Sequence, residues 1–163
     1  MKSLVSYYSR TGHTKKVAEL LAEQLSADLE AISVSTEKNV GTLAMQAFLS
    51  LKAKIAQTTK DPASYDLVLV GSPVWGGRMS SPIRTYLAQN KHKFARVALF
   101  CTHGNLDSEG SVKMLQSMER LVGKESASML DVSQNDMESG AYIEKVKQFA
   151  AKLAGSASPD VSS

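Results

Sequence analysis

Short apolar runs alternate along the chain with longer stretches whose apolar residues recur every three or four positions. This is the pattern of strands followed by amphipathic helices, and therefore of βα units on a parallel sheet. A first strand is predicted at Lys2–Tyr8 and a helix at His13–Ser26, where Val17, Leu20, Leu21 and Leu25 share one face. A second strand covers Leu29–Val34, and a second helix covers Thr42–Gln57. Asp61-Pro62 closes that segment, because proline disfavours helix in the residue before it. Leu67–Val70, inside a third strand at Asp66–Gly71, is continuously apolar, as in a strand covered on both faces. Ser72–Ser81 reads as a Pro- and Gly-rich loop, and Pro82–Gln89 as a short helix with proline in its first turn. A fourth strand at Ala95–Cys101 leads through a loop, Thr102–Gly110, to a helix at Ser111–Leu121 that buries Val112, Leu115 and Met118. A fifth strand (Ala127–Val132) and helix (Gly140–Leu153) follow, the helix carrying Tyr142, Val146, Phe149 and Leu153 on one stripe.

Five strands with five helices fit one doubly wound, three-layer α/β/α domain over residues 1–154, with strand order 2-1-3-4-5. The small, polar stretch 155–163 is expected to be a disordered tail. No internal repeat or second domain is visible. The composition, 43% hydrophobic and 21% charged, is that of a globular domain. No apolar run approaches the roughly 18 residues of a membrane span. The N-terminal apolar stretch is too short for a signal peptide, so a cytoplasmic location is expected. One cysteine, Cys101, can form no internal disulfide and supplies no metal-ligand spacing. The net charge is +3, but the lysines are scattered and no aromatic-interleaved basic stripe appears, which argues against nucleic-acid binding.

In sheets of this kind ligands sit beyond the carboxyl ends of the strands, where the strand order reverses. After strand one comes Ser9-Arg10-Thr11-Gly12-His13-Thr14, with three hydroxyls and a glycine at a helix N-terminus. Such a terminus carries roughly half a positive charge and unpaired N–H groups, so it attracts anions. The same residues also serve as ordinary turn and N-cap residues. Neither the triphosphate pattern G-x-x-x-x-G-K-[ST] nor the dinucleotide pattern G-x-G-x-x-G is present. After strand three comes Gly71-Ser72-Pro73-Val74-Trp75-Gly76-Gly77-Arg78, holding the only tryptophan. Its indole can stack on a flat ligand or simply cap the apolar end of the sheet.

Tyr7-Tyr8-Ser9-Arg10-Thr11-Gly12-His13-Thr14 resembles the flavodoxin phosphate signature, in which an apolar strand leads into [ST]-x-T-G-x-T. Gly71–Leu87 is similar to the flavin loop and following helix of a flavodoxin branch with a P-V-W-x-G segment. The resemblance runs to about Leu153, in the short-chain form. It implies FMN as cofactor. Ser9, Thr11, Gly12, His13 (through its backbone) and Thr14 would hold the phosphate. Pro73, Val74, Trp75, Gly76 and Gly77 would contact the isoalloxazine and ribityl chain. Thr102, His103, Gly104 and Asn105, with Gly110 in the same loop, would lie at the pyrimidine edge. No protein side chain would be chemically catalytic, and no metal is implied.

The implied role is electron transfer to a redox protein partner or a small electron acceptor. The alternative is an FMN-dependent NAD(P)H oxidoreductase acting on quinones or similar acceptors, because the loop after strand four lacks the Tyr or Trp that often covers the second flavin face. Two features depart from the family pattern: the chain is basic overall, and Arg78 stands where acidic residues are common. Both predict a less negative potential for the second electron, since like-charge repulsion of the reduced flavin is weakened. A phospho-receiver domain shares this topology but needs acidic residues where Ser9 and Ser72 stand.

Overall fold

The computed structural model of the chain describes residues 1–35, 53–104 and 107–156. Strand β1 (Ser3–Tyr7) leads into helix α1 (His13–Leu25) and strand β2 (Asp28–Ala31). A 3-10 turn at Pro62–Ser64 precedes the long strand β3 (Leu67–Trp75), which folds back on the two-residue strand β4 (Arg78–Met79). Then come α2 (Ser81–Asn90), β5 (Val97–His103), α3 (Ser108–Val122), β6 (Met129–Ser133), α4 (Gln134–Ser139) and α5 (Tyr142–Gly155). The parallel strands lie in the order β2-β1-β3-β5-β6, with β4 antiparallel on β3. Counting the parallel strands alone, this is the predicted 2-1-3-4-5.

The apolar run of β3 is explained by its period of two. Leu67 and Leu69 join Val5, Tyr7, Ala98 and Phe100 in a core closed by Val17, Leu21, Val146, Phe149 and Leu153 of α1 and α5. Val68 and Val70 face the other way, with Leu4, Leu99 and Cys101, into a core closed by Ile83, Tyr86, Leu87, Met114 and Met118 of α2 and α3. A strand with no solvent face has no polar side chains to spare. The buried Ser6 hydroxyl is matched by Tyr86 OH at 2.9 Å, and burial pushes the Tyr86 phenol up to about 12.

Several local expectations are corrected. The predicted loop at Ser72–Ser81 is a hairpin: β3 runs on to Trp75, and Gly76 and Gly77, with φ of 56° and 74°, make the turn to β4. Positive φ at both central residues is what a two-residue hairpin of the I′ type demands. The base is tied by Ser72, whose buried hydroxyl accepts the Ser80 N–H at 2.9 Å. Most of the predicted helix at Thr42–Gln57 lies outside the described residues. Its end, 53–57, is not helical, because Ile55 bridges Val34 and the Ala56 N–H donates to Ser33 O at 2.8 Å.

Farther along, β5 reaches His103, so Thr102 and His103 are strand residues, and Gly110 sits in the first turn of α3. Asp107 starts that helix by accepting the Gly110 N–H at 2.7 Å. The early start aims Met114, Leu115, Met118 and Val122 inward and leaves Val112 45% exposed, against expectation. Helix α4 was not foreseen; it buries no residue and rests on a capping box between Ser133 and Asp136. Residues 157–163, with most of the expected tail, lie outside the described residues. Among the described residues, no helix is long and apolar enough to cross a membrane.

Gly71 lies where β3 passes Phe100 of β5, and an added Cβ would come within 2.0 Å of the Phe100 ring. Phe100 is fully buried and cannot swing away freely. Gly71→Ala is expected to lower the unfolding free energy by roughly 3 kcal/mol, the upper end of ordinary overpacking costs. In a Phe100→Leu background most of that loss should vanish; denaturant titration of the double-mutant cycle measures the coupling. Burial pushes the Cys101 thiol up to about 12. At pH 8 iodoacetamide should therefore label the native protein about a thousandfold more slowly than the denatured chain, as the thiolate fraction dictates. Mass spectrometry of timed samples reads the ratio.

Candidate functional site

Three chain crossings meet at the carboxyl edge of the sheet. The first follows β1. Gly12 stands at the N-terminus of α1 with φ 96° and ψ −9°, a backbone conformation side-chain-bearing residues rarely adopt. Its N–H donates to Ser9 Oγ at 3.1 Å, which curls residues 9–12 into a tight turn. Its carbonyl accepts the Lys16 N–H at 3.0 Å, the first bond of the helix. No side chain caps α1, and its first turn carries no acidic residue. Helices α3 and α4 are capped by Asp107 and Ser133, whereas α2 and α5 share the lack of a side-chain cap but do not start at the reversal of strand order. The first-turn N–H groups of α1 are therefore available to an anion.

Within this crossing Thr11 is exposed, and Ser9, Gly12 and His13 are half-buried. Thr14 is buried, and its Oγ1 lies 2.7 Å from Thr102 Oγ1 on β5. That hydroxyl pair ties the first crossing to the third. Tyr8, directly after β1, donates its backbone N–H to Gly71 O at 3.2 Å, extending the β1–β3 ladder toward the second crossing.

The second crossing is the β3–β4 hairpin. Pro73, Val74 and Trp75 are half-buried at the end of β3, and Gly76 and Gly77 are exposed at its tip. The Trp75 ring meets Tyr8 edge to face at 5.8 Å, and the Arg10 guanidinium lies 5.8 Å from the indole centroid. Trp75 therefore belongs to a cluster that bridges the first two crossings. Tyr8 and Arg10 are members of it that sequence pattern did not single out; contacts between separate loops leave no local signal.

The third crossing is the end of β5. Thr102 pairs with Pro73 in register, and His103 pairs with Ser133 of β6. The His103 side chain is 3% exposed, with Nε2 3.4 Å from Asp131 Oδ2, while Nδ1 is buried without a partner among the described residues. An unmet buried polar atom costs about 1–3 kcal/mol, so a site that supplies a partner is favoured there. Ser111 Oγ also lies 3.4 Å from Asp131 Oδ2. Asp131 was not anticipated, although a carboxylate inside the apolar run of β6 was a readable sign. Gly104 is exposed; Asn105 lies outside the described residues; Gly110 is used in the first turn of α3.

Just beyond β6, Asp136 is buried enough for its carboxyl to be pushed up. The Lys145 ammonium at 2.8 Å and the Ser133 N–H and hydroxyl outweigh that and hold it below the usual carboxylate range. This local network pins α4 and α5 against the end of β6.

The crossings thus offer unpaired backbone donors, an indole and a buried imidazole along one edge, at the point where the strand order reverses. Among solved structures, the chain is similar to a flavoprotein from Lactobacillus acidophilus NCFM in complex with FMN, at 28% identity and a TM-score of 0.66 over 86% of this chain and 97% of that one. It is similar in fold to oxidised flavodoxin 2 from Bacillus cereus, at 18% identity and a TM-score of 0.63 over 96% and 99% of the two chains. A WrbA-like flavodoxin from Agrobacterium tumefaciens shares the fold at 19% identity and a TM-score of 0.66, over 95% and 96%. A family model described as Flavodoxin matches residues 2–146. The chain belongs to the flavodoxin family.

Proposed function

We propose that this chain carries FMN at the carboxyl edge of its sheet and passes electrons between that flavin and a redox protein or a small electron acceptor. The observation that carries the reading is the uncapped first turn of α1 behind Gly12, set at the reversal of strand order. Ser9 and Thr11 hydroxyls with first-turn N–H groups suit a phosphate dianion, because they donate without bringing a full counter-charge. Trp75 offers a flat ring beside that turn, and Gly76 and Gly77 let backbone N–H and C=O groups approach the ligand. His103 Nδ1 is a buried atom in want of a partner, and a polar flavin edge would supply one. The Thr102 hydroxyl is engaged with Thr14, so Thr102 holds two crossings together and would meet the ligand through its backbone. When bound, the flavin supplies the electron chemistry; the chain's part is to hold it, orient it and shield one face.

A second reading has one observation in its favour. Thr102–Asp107 contains no Phe, Tyr or Trp, and the His103 ring is buried against Asp131, so this crossing offers no large aromatic ring to cover the other flavin face. An open face admits a nicotinamide or a quinone, which suits an NAD(P)H-dependent oxidoreductase.

Trp75 is the only tryptophan, so its fluorescence reports on the site directly. Titrating flavin-free protein with FMN should quench that emission at one equivalent. Riboflavin, which lacks the phosphate, should bind at least tenfold more weakly, as the loss of charge-assisted hydrogen bonds requires. Gly12→Val should weaken FMN by a similar factor while leaving the far-ultraviolet circular dichroism unchanged. Protein that emerges colourless from a desalting column after excess FMN, with an unaltered melting temperature, ends this reading. A mixture of the loaded protein, NADPH and a quinone decides between the two roles. The carrier is expected to show no repeated turnover unless a partner reductase is added, and rapid turnover without one establishes the oxidoreductase.

A further inference from the structure

A cavity of about 350 Å³ opens beside the hairpin, lined by Gly77, β4, α2 and α3, and does not include the turn at Gly12. Its floor is apolar: Met79, Met114 and Leu121. Its polar rim carries Arg78, Arg84 and Lys113, with the Ser117 hydroxyl, and no carboxylate lines it among the described residues. Arg84, on α2, is half-buried, and its guanidinium forms no hydrogen bond or ion pair among the described residues. Lys113 is paired with Glu109 at 2.6 Å, but both side chains are largely exposed (69% and 74%), and such pairs separate at little cost. Three cations around an apolar floor form a ligand site in size and chemistry, since such pockets run from roughly 300 to 1,000 Å³.

We propose that this cavity binds a small organic anion, its phosphate or carboxylate head on Arg84 and Lys113 and its apolar body on Met79, Met114 and Leu121. A guanidinium fork grips two oxygens of such a head at once, which an ammonium cannot do. The methionines provide an adaptable apolar surface that accepts bodies of different shape. Because Gly77 and Arg78 form one wall, the anion would sit against the same hairpin that carries Trp75. A small charged electron donor or acceptor bound there would lie beside the flavin site without using the phosphate turn. The assignment does not depend on the flavin being present.

The test is a titration of nitrogen-15-labelled, FMN-loaded protein with phenyl phosphate, benzoate and benzyl alcohol, followed by amide resonance shifts. At least one of the two anions should shift Gly77, Met79, Met114 and Ser117 saturably, and benzyl alcohol should not. Tighter binding of phenyl phosphate identifies a phosphate ester as the natural head, and tighter benzoate a carboxylate. Arg84→Gln should weaken binding at least tenfold, Arg84→Lys less, and Lys113→Gln several-fold. Lys152→Gln, exposed on α5, should change nothing. The native spectrum of each variant shows that it folds, and the exposed Lys113 site gives a second variant if Arg84→Gln does not. Equal shifts with the neutral alcohol, shifts confined to residues 9–14, or affinity unchanged by Arg84→Gln with Lys113→Gln would overturn the proposal. If the protein takes up no FMN, the same titration of the flavin-free chain still reads this cavity, so the two proposals fail separately.

Discussion

The burial of β1, β3 and β5 on both faces is the constraint from which the rest of the structure follows. Val68 and Val70 point into one core while Leu67 and Leu69 point into the other, so the central strand has no side left for water. Helices must cover both faces, and parallel neighbours can be joined only by connections that cross over one face of the sheet. Polar residues on these strands mostly stand where a partner waits, as Ser6 has Tyr86, or at the carboxyl ends; Ser3, at the start of β1, is the exception, buried with its hydroxyl unpaired among the described residues. Ser72, Thr102 and His103 all stand at those ends and are all buried. Most of the polar chemistry of these strands therefore collects along their carboxyl edge.

The hydrophobic periodicity made most of that layout legible. The strand order, the faces of α1 and α5, and the helical start at Ser81 next to Pro82 all follow from spacing and turn residues. What escaped was set by partners far away in sequence. Ile55 pairs with Val34 across a segment whose own pattern reads as helix. Pro73 and the paired glycines look like a loop in isolation. The strand continues through Pro73 because Thr102 is held opposite it in the ladder, and Gly76-Gly77 is then the turn that lets the chain reverse. Val112 was misjudged for a more local reason: Asp107 starts α3 three residues earlier than the apolar pattern does, and its inward face settles on Met114, Leu115 and Met118.

The candidate site was legible in its residues but not in its connections. A hydroxyl-rich turn before a helix and a lone tryptophan after a strand are both visible in one dimension. That Thr14 and Thr102, 88 residues apart, share a hydrogen bond is not, and it changes what Thr102 can do. Its hydroxyl is committed to holding the first and third crossings together. His103 likewise gains meaning only beside Asp131, which holds one ring nitrogen and leaves the other buried and unmatched. Trp75 is neither a free platform nor a plain cap on the core; it is braced by Tyr8 and lies under Arg10.

Charge is handled in two different ways at the two sites beside the hairpin. In the proposed phosphate turn after β1 the attraction would come chiefly from backbone dipoles, which are fixed by the fold and need no side-chain ordering, with Arg10 drawn toward Trp75. In the cavity beside the hairpin it comes from Arg78, Arg84 and Lys113, full charges on long side chains that salt screens and that lose entropy on binding. The first arrangement suits a group that stays, and the second suits one that comes and goes. Arg78 belongs to both neighbourhoods: it is opposite Trp75 in the β3–β4 pair and on the rim of the cavity. Because Arg78 is exposed, water damps its field, so the less negative potential expected from the sequence should be a small effect if a flavin binds beside this hairpin, and Arg78 should act more through the anions it attracts.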